Sequence, residues 1–180
     1  MKTDEENDSR IAGLSDVTGR LTWTLKGAAA ESWLCERGLD IPFTIYASTL
    51  PDDDLSVTRT GIDEFLVEST TGELHQVHQE LAAQQNEPAD FFIFERQDAL
   101  FRLTGEGAHD VMTQTCGINW TEVPPDHLVM TRVAGVSCGV RLLTRDDSPC
   151  FVIRLDPTYG VYMWQELLTI CQELGSAAVG

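Results

Sequence analysis

Few residues of this 180-residue sequence combine the types and spacing that catalysis or metal binding requires. His75 and His78 lie three positions apart on a predicted helix and would need a third ligand from elsewhere to bind a metal, so we interpret them as a solvated helix face. Cys138 and His127 have the types of a thiol-imidazole pair. Their spacing does not favour such a pair, and we predict that Cys138 packs in the core. A thiol hydrolase that uses Cys138 is the least favoured hypothesis.

The acidic and glycine-rich segments also lack the patterns of known sites. Asp52-Asp53-Asp54 has neither the turn glycine nor the distal glutamate of a calcium loop, which predicts a solvated loop. Asp63 and Glu64 are neighbours on a predicted strand and would point to opposite faces, so they are not expected to act as an acid-base pair. Gly105-Glu106-Gly107 lacks the third glycine of a dinucleotide fingerprint and is typical of a turn that opens a helix. We therefore predict no catalytic, cofactor-binding or metal-binding residue in this chain.

Charge limits the classes of partner. The formal net charge is −17, with 12 Lys and Arg residues in total. Nucleic acid and anionic lipid are unlikely ligands of such a chain, because phosphate recognition needs clustered cations. Residues 1–90 hold 18 acids and 6 bases, and residues 91–180 hold 11 acids and 6 bases. The second half is therefore predicted to be better suited to face a neighbouring protein.

The sequence also predicts the compartment. No segment approaches the roughly 20 apolar residues that a membrane helix needs. Residues 1–12 are acidic and lack a secretion signal, so we expect a disordered acidic tail and a cytoplasmic protein. The five cysteines are widely spaced, which favours reduced and mostly buried thiols.

A strand-helix-strand unit occurs twice, with an offset of 78 residues between Gly27 and Gly105. In the first copy Arg20–Lys26 alternates as a half-buried strand, and Ala28–Arg37 has the composition of a helix. In the second copy Ala99–Leu103 and Ala108–Thr115 repeat this pattern. A glycine is expected to cap each helix. The two capping glycines are Gly38 and Gly117.

Each copy continues with a proline loop, a strand that contains Thr-Arg, a closing strand and an amphipathic helix. The predicted loops are Leu50–Asp52 and Val123–Asp126, and the second copy is predicted to add a strand within residues 134–148. The helices should bury two apolar stripes. The stripes are Leu74, Val77 and Leu81 in the first copy, and Val161, Trp164, Leu168, Cys171 and Leu174 in the second.

These elements predict one α+β domain over residues 13–176. It consists of two pseudo-symmetric strand-helix-strand halves, residues 13–83 and 91–174. The polar connector between the halves is short, so we expect them to share one sheet.

Several segments, in order from about Leu14 to Leu174, match the pattern of one family. Thr60–Val67 is similar to the Gly-Pro-Asp-Glu-Trp-Leu strand motif of the gamma subunit of heterotetrameric sarcosine oxidase, and Leu103–Met112 resembles that family's Leu-Ser-Gly-Pro-x-Ala-x-Asp-Val-Leu. Ile62 and Phe65 stand where the motif has Pro and Trp, which leaves room for a sister complex such as an N-methylglutamate dehydrogenase. The other similar segments are Cys116–Asn119, Val123–Asp126, Thr131–Arg132 and Tyr162–Leu168.

This resemblance implies a fold and a role. The implied fold is the folate-binding domain of the glycine-cleavage T-protein type, without its C-terminal barrel. The implied role is a non-catalytic structural subunit, whose larger flavoprotein partners hold FAD, FMN, NAD, tetrahydrofolate and zinc and oxidise sarcosine or a related N-methyl amino acid. No cofactor is expected in this chain itself. The residues expected to contact partners are Gly61, Asp63, Glu64, Phe65, Pro124, Pro125 and Arg132.

The alternative is a stand-alone folate-binding one-carbon protein or an iron-sulfur assembly protein of the same fold. The sequence lacks the Lys-Gly-Cys-Tyr-x-Gly-Gln segment of that assembly factor, and Gly135–Gly139 resembles it only weakly.

Overall fold

The computed structural model describes residues 12–52, 55–69, 76–85, 87, 89–145 and 148–175. They form two compact units. The amino-terminal unit is Gly19–Gln97, and the carboxy-terminal unit combines the described residues up to Thr18 with those from Asp98 onward. In chain order the elements are β1 (Gly13–Asp16), β2 (Thr22–Lys26), α1 (Ala30–Cys35), β3 (Ser48–Asp52), β4 (Leu55–Gly61), β5 (Glu64–Ser69), α2 (Gln76–Gln84), β6 (Phe92–Glu95), β7 (Ala99–Thr104), α3 (Ala108–Thr115), β8 (Leu128–Val133), β9 (Val136–Arg145), β10 (Ser148–Leu155) and α4 (Gly160–Glu173).

The two units have the same architecture. Each contains a five-stranded antiparallel sheet, in the order β3-β4-β5-β2-β6 in the amino-terminal unit and β8-β9-β10-β7-β1 in the carboxy-terminal unit. In the described part of each unit there are also two α-helices, α1 and α2 in the amino-terminal unit and α3 and α4 in the carboxy-terminal unit. The predicted α+β class and the predicted duplication are therefore confirmed. None of the described helices is long and apolar enough to cross a membrane.

Matching hydrogen bonds confirm the offset between the copies. The amide of Ala30 donates to the Gly27 carbonyl at 3.0 Å, and the amide of Ala108 donates to the Gly105 carbonyl at 2.9 Å. Both glycines have positive φ, 140° and 90° respectively. In both copies this conformation turns the chain from the strand into the helix, which explains why glycine is used there.

The expectation of one shared sheet is wrong, and the compact units are not the predicted halves. β1 precedes β2 in the chain but pairs with β7, whereas β6 precedes β7 but pairs with β2. Each copy therefore contributes its first strand to the sheet of the other copy. This exchange completes two separate sheets. The boundaries of the compact units therefore lie at Gly19 and Asp98.

The core of the amino-terminal unit lies between one face of its sheet and its two helices. Trp23 and Leu25 of β2 pack with Phe65 of β5 and with Leu34 and Leu81 of the helices. The other face is buried as well. Its buried residues include Thr22, Thr24, Thr58 and Leu66, so the prediction that β2 is half-buried is wrong.

The core of the carboxy-terminal unit packs α3 and α4 against its sheet. Phe101 of β7 and Phe151 of β10 are its largest fully buried side chains. The predicted stripe of α4 is correct at Cys171, but Met163 and Leu167 are buried in place of their neighbours Trp164 and Leu168. Val161 is exposed, while Trp164 is half-buried and its ring centroid lies 5.7 Å from that of Phe101.

The predicted proline loop at Leu50–Asp52 is part of strand β3. Within the described residues β3 pairs with β4 at the edge of its sheet, where proline is tolerated because no ladder hydrogen bond is needed on the outer side. β3 is the counterpart of β8. The strand predicted within residues 134–148 is present as β9, but it is not an addition, because β9 is the counterpart of β4. Gly38 follows the end of α1 with φ of 75°, whereas α3 ends with extended Cys116 and Gly117 has no positive φ.

We predict that Gly27→Ala destabilises the protein. A β-carbon at position 27 would lie 2.7 Å from Cα of Phe91 and 2.8 Å from the carbonyl oxygen of Asp90, in a backbone conformation that alanine rarely adopts. The expected loss in the free energy of unfolding is at least about 3 kcal/mol, measured by chemical denaturation. Gly19→Ala is the control, because its β-carbon would meet nothing within 4 Å, and it should lose about 1 kcal/mol. Equal losses would contradict the close packing of Asp90 and Phe91 against this turn.

Candidate functional site

A buried arginine joins three segments of the amino-terminal unit. Arg59 lies on β4 and is only 8% exposed. Its Nε donates to the carbonyl of Pro42 at 2.7 Å, and its Nη1 donates to the carbonyl of Ile62 at 2.6 Å. Its Nη2 lies 2.8 Å from Oε2 of Glu31 on α1. One guanidinium therefore binds a loop, a turn and a helix.

The surroundings of Arg59 fix its position further. Its guanidinium carbon lies 4.7 Å from the ring centroid of Phe65, which is fully buried on β5. The backbone carbonyl of Arg59 accepts from the amide of Tyr46, whose φ is 69°. Arginine suits such a site because its planar fork donates in several directions at once and stacks on aromatic rings.

The structure brings part of the predicted contact set to this end of the unit. Gly61 and Asp63 lie at the turn between β4 and β5, and Asp63 is exposed. Glu64 accepts from the hydroxyl of Thr60 and pairs with Lys26 at 3.0 Å. Phe65 is in the core, so its side chain is structural. Contact between these residues and a partner stays a prediction.

The other predicted contact residues lie in the carboxy-terminal unit. Pro124 and Pro125 are exposed in the loop before β8, as the sequence predicted, and Arg132 is exposed on β8. The Thr-Arg pairs of the two copies are not equivalent. Arg59 lies on β4, whereas Arg132 lies on the counterpart of β3. This difference explains why one arginine is buried and the other is not.

The thiol hypothesis finds no support in the surroundings of Cys138. Burial is the main cause that raises the pKa of the Cys138 thiol to about 11, so the thiol is protonated at neutral pH and is a poor nucleophile. His127 instead contacts the carbonyl of Pro125 through Nδ1 at 3.0 Å. Four of the five cysteines are buried, and Cys35 is exposed, as the sequence predicted for mostly buried thiols.

Those of the remaining sequence candidates that the structure describes do not form a site. His78 is 1% exposed, so its assignment to a solvated helix face is wrong; it lies with Val77 and Leu81 on the buried side of α2. His75, Asp53 and Asp54 lie outside the described residues. Among the residues that are described, no three His, Cys, Asp or Glu side chains lie together as a possible metal site.

The sequence did not indicate a cluster between α1 and α2. The guanidinium of Arg37 lies 3.4 Å from the ring centroid of Trp33, and Nε of Arg37 lies 2.7 Å from a carboxylate oxygen of Glu80. Glu36 and Gln76 line the shallow groove beside it. Because these contacts join the two helices, we interpret the cluster as structural.

The exposed apolar side chains are the most unusual feature of the surface. Trp23, Trp33 and Trp120 are buried, so the tryptophans account for none of it. Phe43 is 96% exposed and Ile62 is 77% exposed. Phe92 and Phe94 are exposed on β6. Phe43 carried no distinguishing signal in the sequence.

Comparisons with known proteins identify the fold. A scan against protein-family models and a search of the curated proteins found no match. Among solved structures, a chain of heterotetrameric sarcosine oxidase from Corynebacterium sp. U-96, in complex with pyrrole 2-carboxylate, superposes with a TM-score of 0.75 at 18% identity. The match covers 96% of this chain and 89% of that chain.

A second structure, glycine cleavage system aminomethyltransferase T from Bartonella henselae, has a TM-score of 0.71 at 17% identity. This chain has the T-protein-like fold. The match covers 98% of this chain but 50% of the aminomethyltransferase, so the chain spans about half the length of that enzyme. The fold implied by the resemblance is therefore confirmed.

Arg59 should be essential to the stability of the T-protein-like fold in this chain. Arg59→Met removes two hydrogen bonds to backbone carbonyls and the contact with Glu31, so we predict a loss of about 2–4 kcal/mol in the free energy of unfolding. Arg132→Met is the matched control, because Arg132 is exposed, and should change stability by less than about 0.5 kcal/mol. Urea denaturation of both variants measures the difference. Similar stabilities would show that the Arg59 contacts contribute little.

Thiol alkylation tests the assignment of the cysteines. At pH 8 iodoacetamide should modify exposed Cys35 quickly and leave Cys138 unmodified, since burial keeps the Cys138 thiol protonated. Its folded pKa of about 11 exceeds the ordinary value of 9.0, so its contribution to stability should decrease as the pH rises from about 9 to 11. Mass mapping of native and denatured samples locates the label. Rapid modification of Cys138 in the folded protein would contradict this assignment.

Proposed function

We propose that this chain is the non-catalytic structural subunit of a flavin-dependent, heterotetrameric sarcosine oxidase-like complex. The parent complex would oxidatively demethylate sarcosine or a related N-methyl amino acid and pass the one-carbon unit to tetrahydrofolate. The main observation that supports this proposal is the extent of the structural match. The matched chain of the oxidase is covered over 89% of its length, so nearly all of that chain has a counterpart here.

The second structural match does not carry an activity to this chain. The aminomethyltransferase is matched over 50% of its length, and a shared fold alone does not determine a catalytic function.

The chemistry of the described residues supports the same role. The thiol of Cys138 is deactivated by burial, and Arg59 and Arg37 have their guanidinium groups engaged in structural contacts. Large apolar side chains are exposed on the amino-terminal unit. Soluble monomers seldom expose contiguous apolar surface without an interaction partner, so this surface supports assembly with another protein.

Partners and cofactors follow from the proposed role. The partners would be larger flavoprotein subunits that act in the cytoplasm. FAD, FMN, NAD, tetrahydrofolate and zinc would be bound by those subunits, and this chain would bind none of them. In this account the chain contributes to the reaction indirectly, by holding the assembly together.

A stand-alone folate-binding protein is the second candidate, which the similarity to the aminomethyltransferase supports. Such a protein would bind a reduced folate in the absence of any partner. Isothermal titration of the isolated chain with tetrahydrofolate tests this candidate directly. Saturable binding at micromolar concentration would favour it over the subunit role.

We predict that the tagged chain, purified gently from its native cells, carries companion subunits in fixed ratio. Mass spectrometry should identify larger chains, and the eluate should absorb near about 450 nm, where oxidised flavins absorb. Addition of sarcosine or a related N-methyl amino acid without oxygen should bleach this band. A colourless chain without companions would contradict the proposed function.

A further inference from the structure

An exposed apolar surface is built around Arg59. It consists of Phe43, Ile45 and Tyr46 in the segment before β3, and of Ile62 in the turn between β4 and β5; we call it the Phe43 surface. Phe43 is 96% exposed and Ile62 is 77% exposed. Ile45 and Tyr46 are 41% and 42% exposed. Single exposed apolar residues are common on proteins, but a group of four on two adjoining segments is not.

The buried arginine holds the two segments together. Nε of Arg59 binds the carbonyl of Pro42, the residue before Phe43, and Nη1 of the same guanidinium binds the carbonyl of Ile62. The amide of Tyr46 also donates to the carbonyl of Arg59 at 2.6 Å. Because one rigid group fixes both backbones, the surface is ordered before any partner arrives, which lowers the entropic cost of binding.

The charges beside this surface define its partner. Two exposed carboxylates flank it. Asp40 precedes the first segment, and Asp63 follows Ile62. The charge of Glu31 is compensated by Arg59, with which it pairs. Glu64 is compensated in the same way by Lys26. Asp40 and Asp63 remain, so the flanking field is negative and would attract a surface that carries lysine or arginine.

We propose that the Phe43 surface binds an apolar patch, framed by lysine and arginine residues, on a different protein. A second copy of this chain is a poor occupant, because a two-fold contact would bring Asp40 and Asp63 against their own copies in a protein of net charge −17. This inference rests on the proposed function, since the partner would be a larger subunit of the complex. It locates the contact on the more acidic half, unlike the expectation from charge alone.

A paired-variant experiment tests this surface. The tagged chain is expressed in its native cells as wild type, as Phe43→Ser/Ile62→Ser and as Met130→Ser/Val161→Ser. Met130 and Val161 are 60% and 74% exposed and serve as a matched control. The ratio of companion chains to the tagged chain should fall at least about tenfold for the first double variant and stay unchanged for the control.

Three further measurements complete the test. Both double variants should melt within a few degrees of wild type, because their substituted side chains are exposed. A photoreactive phenylalanine analogue at position 43 should cross-link wild-type complexes at a companion peptide that contains apolar and basic residues. Asp63→Lys, which reverses one flanking charge, should also weaken retention of the companion chains, and more so at low salt.

Each outcome separates this inference from the proposed function. Companion chains retained equally by wild type and Phe43→Ser/Ile62→Ser would overturn the Phe43 surface while leaving the subunit role intact. Cross-links from position 43 to a second copy of this chain would overturn the choice of partner. A wild-type chain that retains no companion would overturn both proposals.

Discussion

The exchange of edge strands is the constraint on which the rest of this structure depends. In each copy the first strand leaves its own sheet and completes the other one. Leu14 of β1 pairs with Leu103 of β7, and Ile93 of β6 pairs with Leu25 of β2. An isolated half would lack its fifth strand and expose the edge of β2 or β7, which is prone to non-native pairing. Both sheets therefore require the whole duplicated chain.

The two copies share a framework but have diverged around the central phenylalanines. Phe65 and Phe151 occupy matching positions and are fully buried. Arg59 lies over Phe65, whereas Trp120 and His109 contact the edge or face of Phe151 at ring-centroid distances of 5.2 Å and 5.1 Å. Arg59 joins a loop, a turn and a helix of the amino-terminal unit through polar contacts. Purely apolar or aromatic packing would not join these segments in the same way. The exposed Phe43 surface follows from this divergence.

Periodicity and glycine spacing were sufficient to predict the duplication, because both copies use the same strand-turn-helix geometry at Gly27 and Gly105. They could not reveal the exchange of β1 and β6, since alternation in a short strand carries no information about its partner. Pro51 concealed β3 because proline usually marks a loop. The Phe43 surface was only partly predictable. Gly61 and Asp63 lie beside it, but the burial of Arg59 and the exposure of Phe43 depend on tertiary contacts between distant segments.

The central claim is that this chain works as a subunit of a larger flavoprotein assembly. Native mass spectrometry of the untagged assembly, fractionated from its own cells, tests this claim most directly. The account predicts a complex that contains this 19.9 kDa chain together with larger chains and non-covalently bound flavin. Detection of this chain only as a free monomer of that mass, in fractions without flavin, would contradict it.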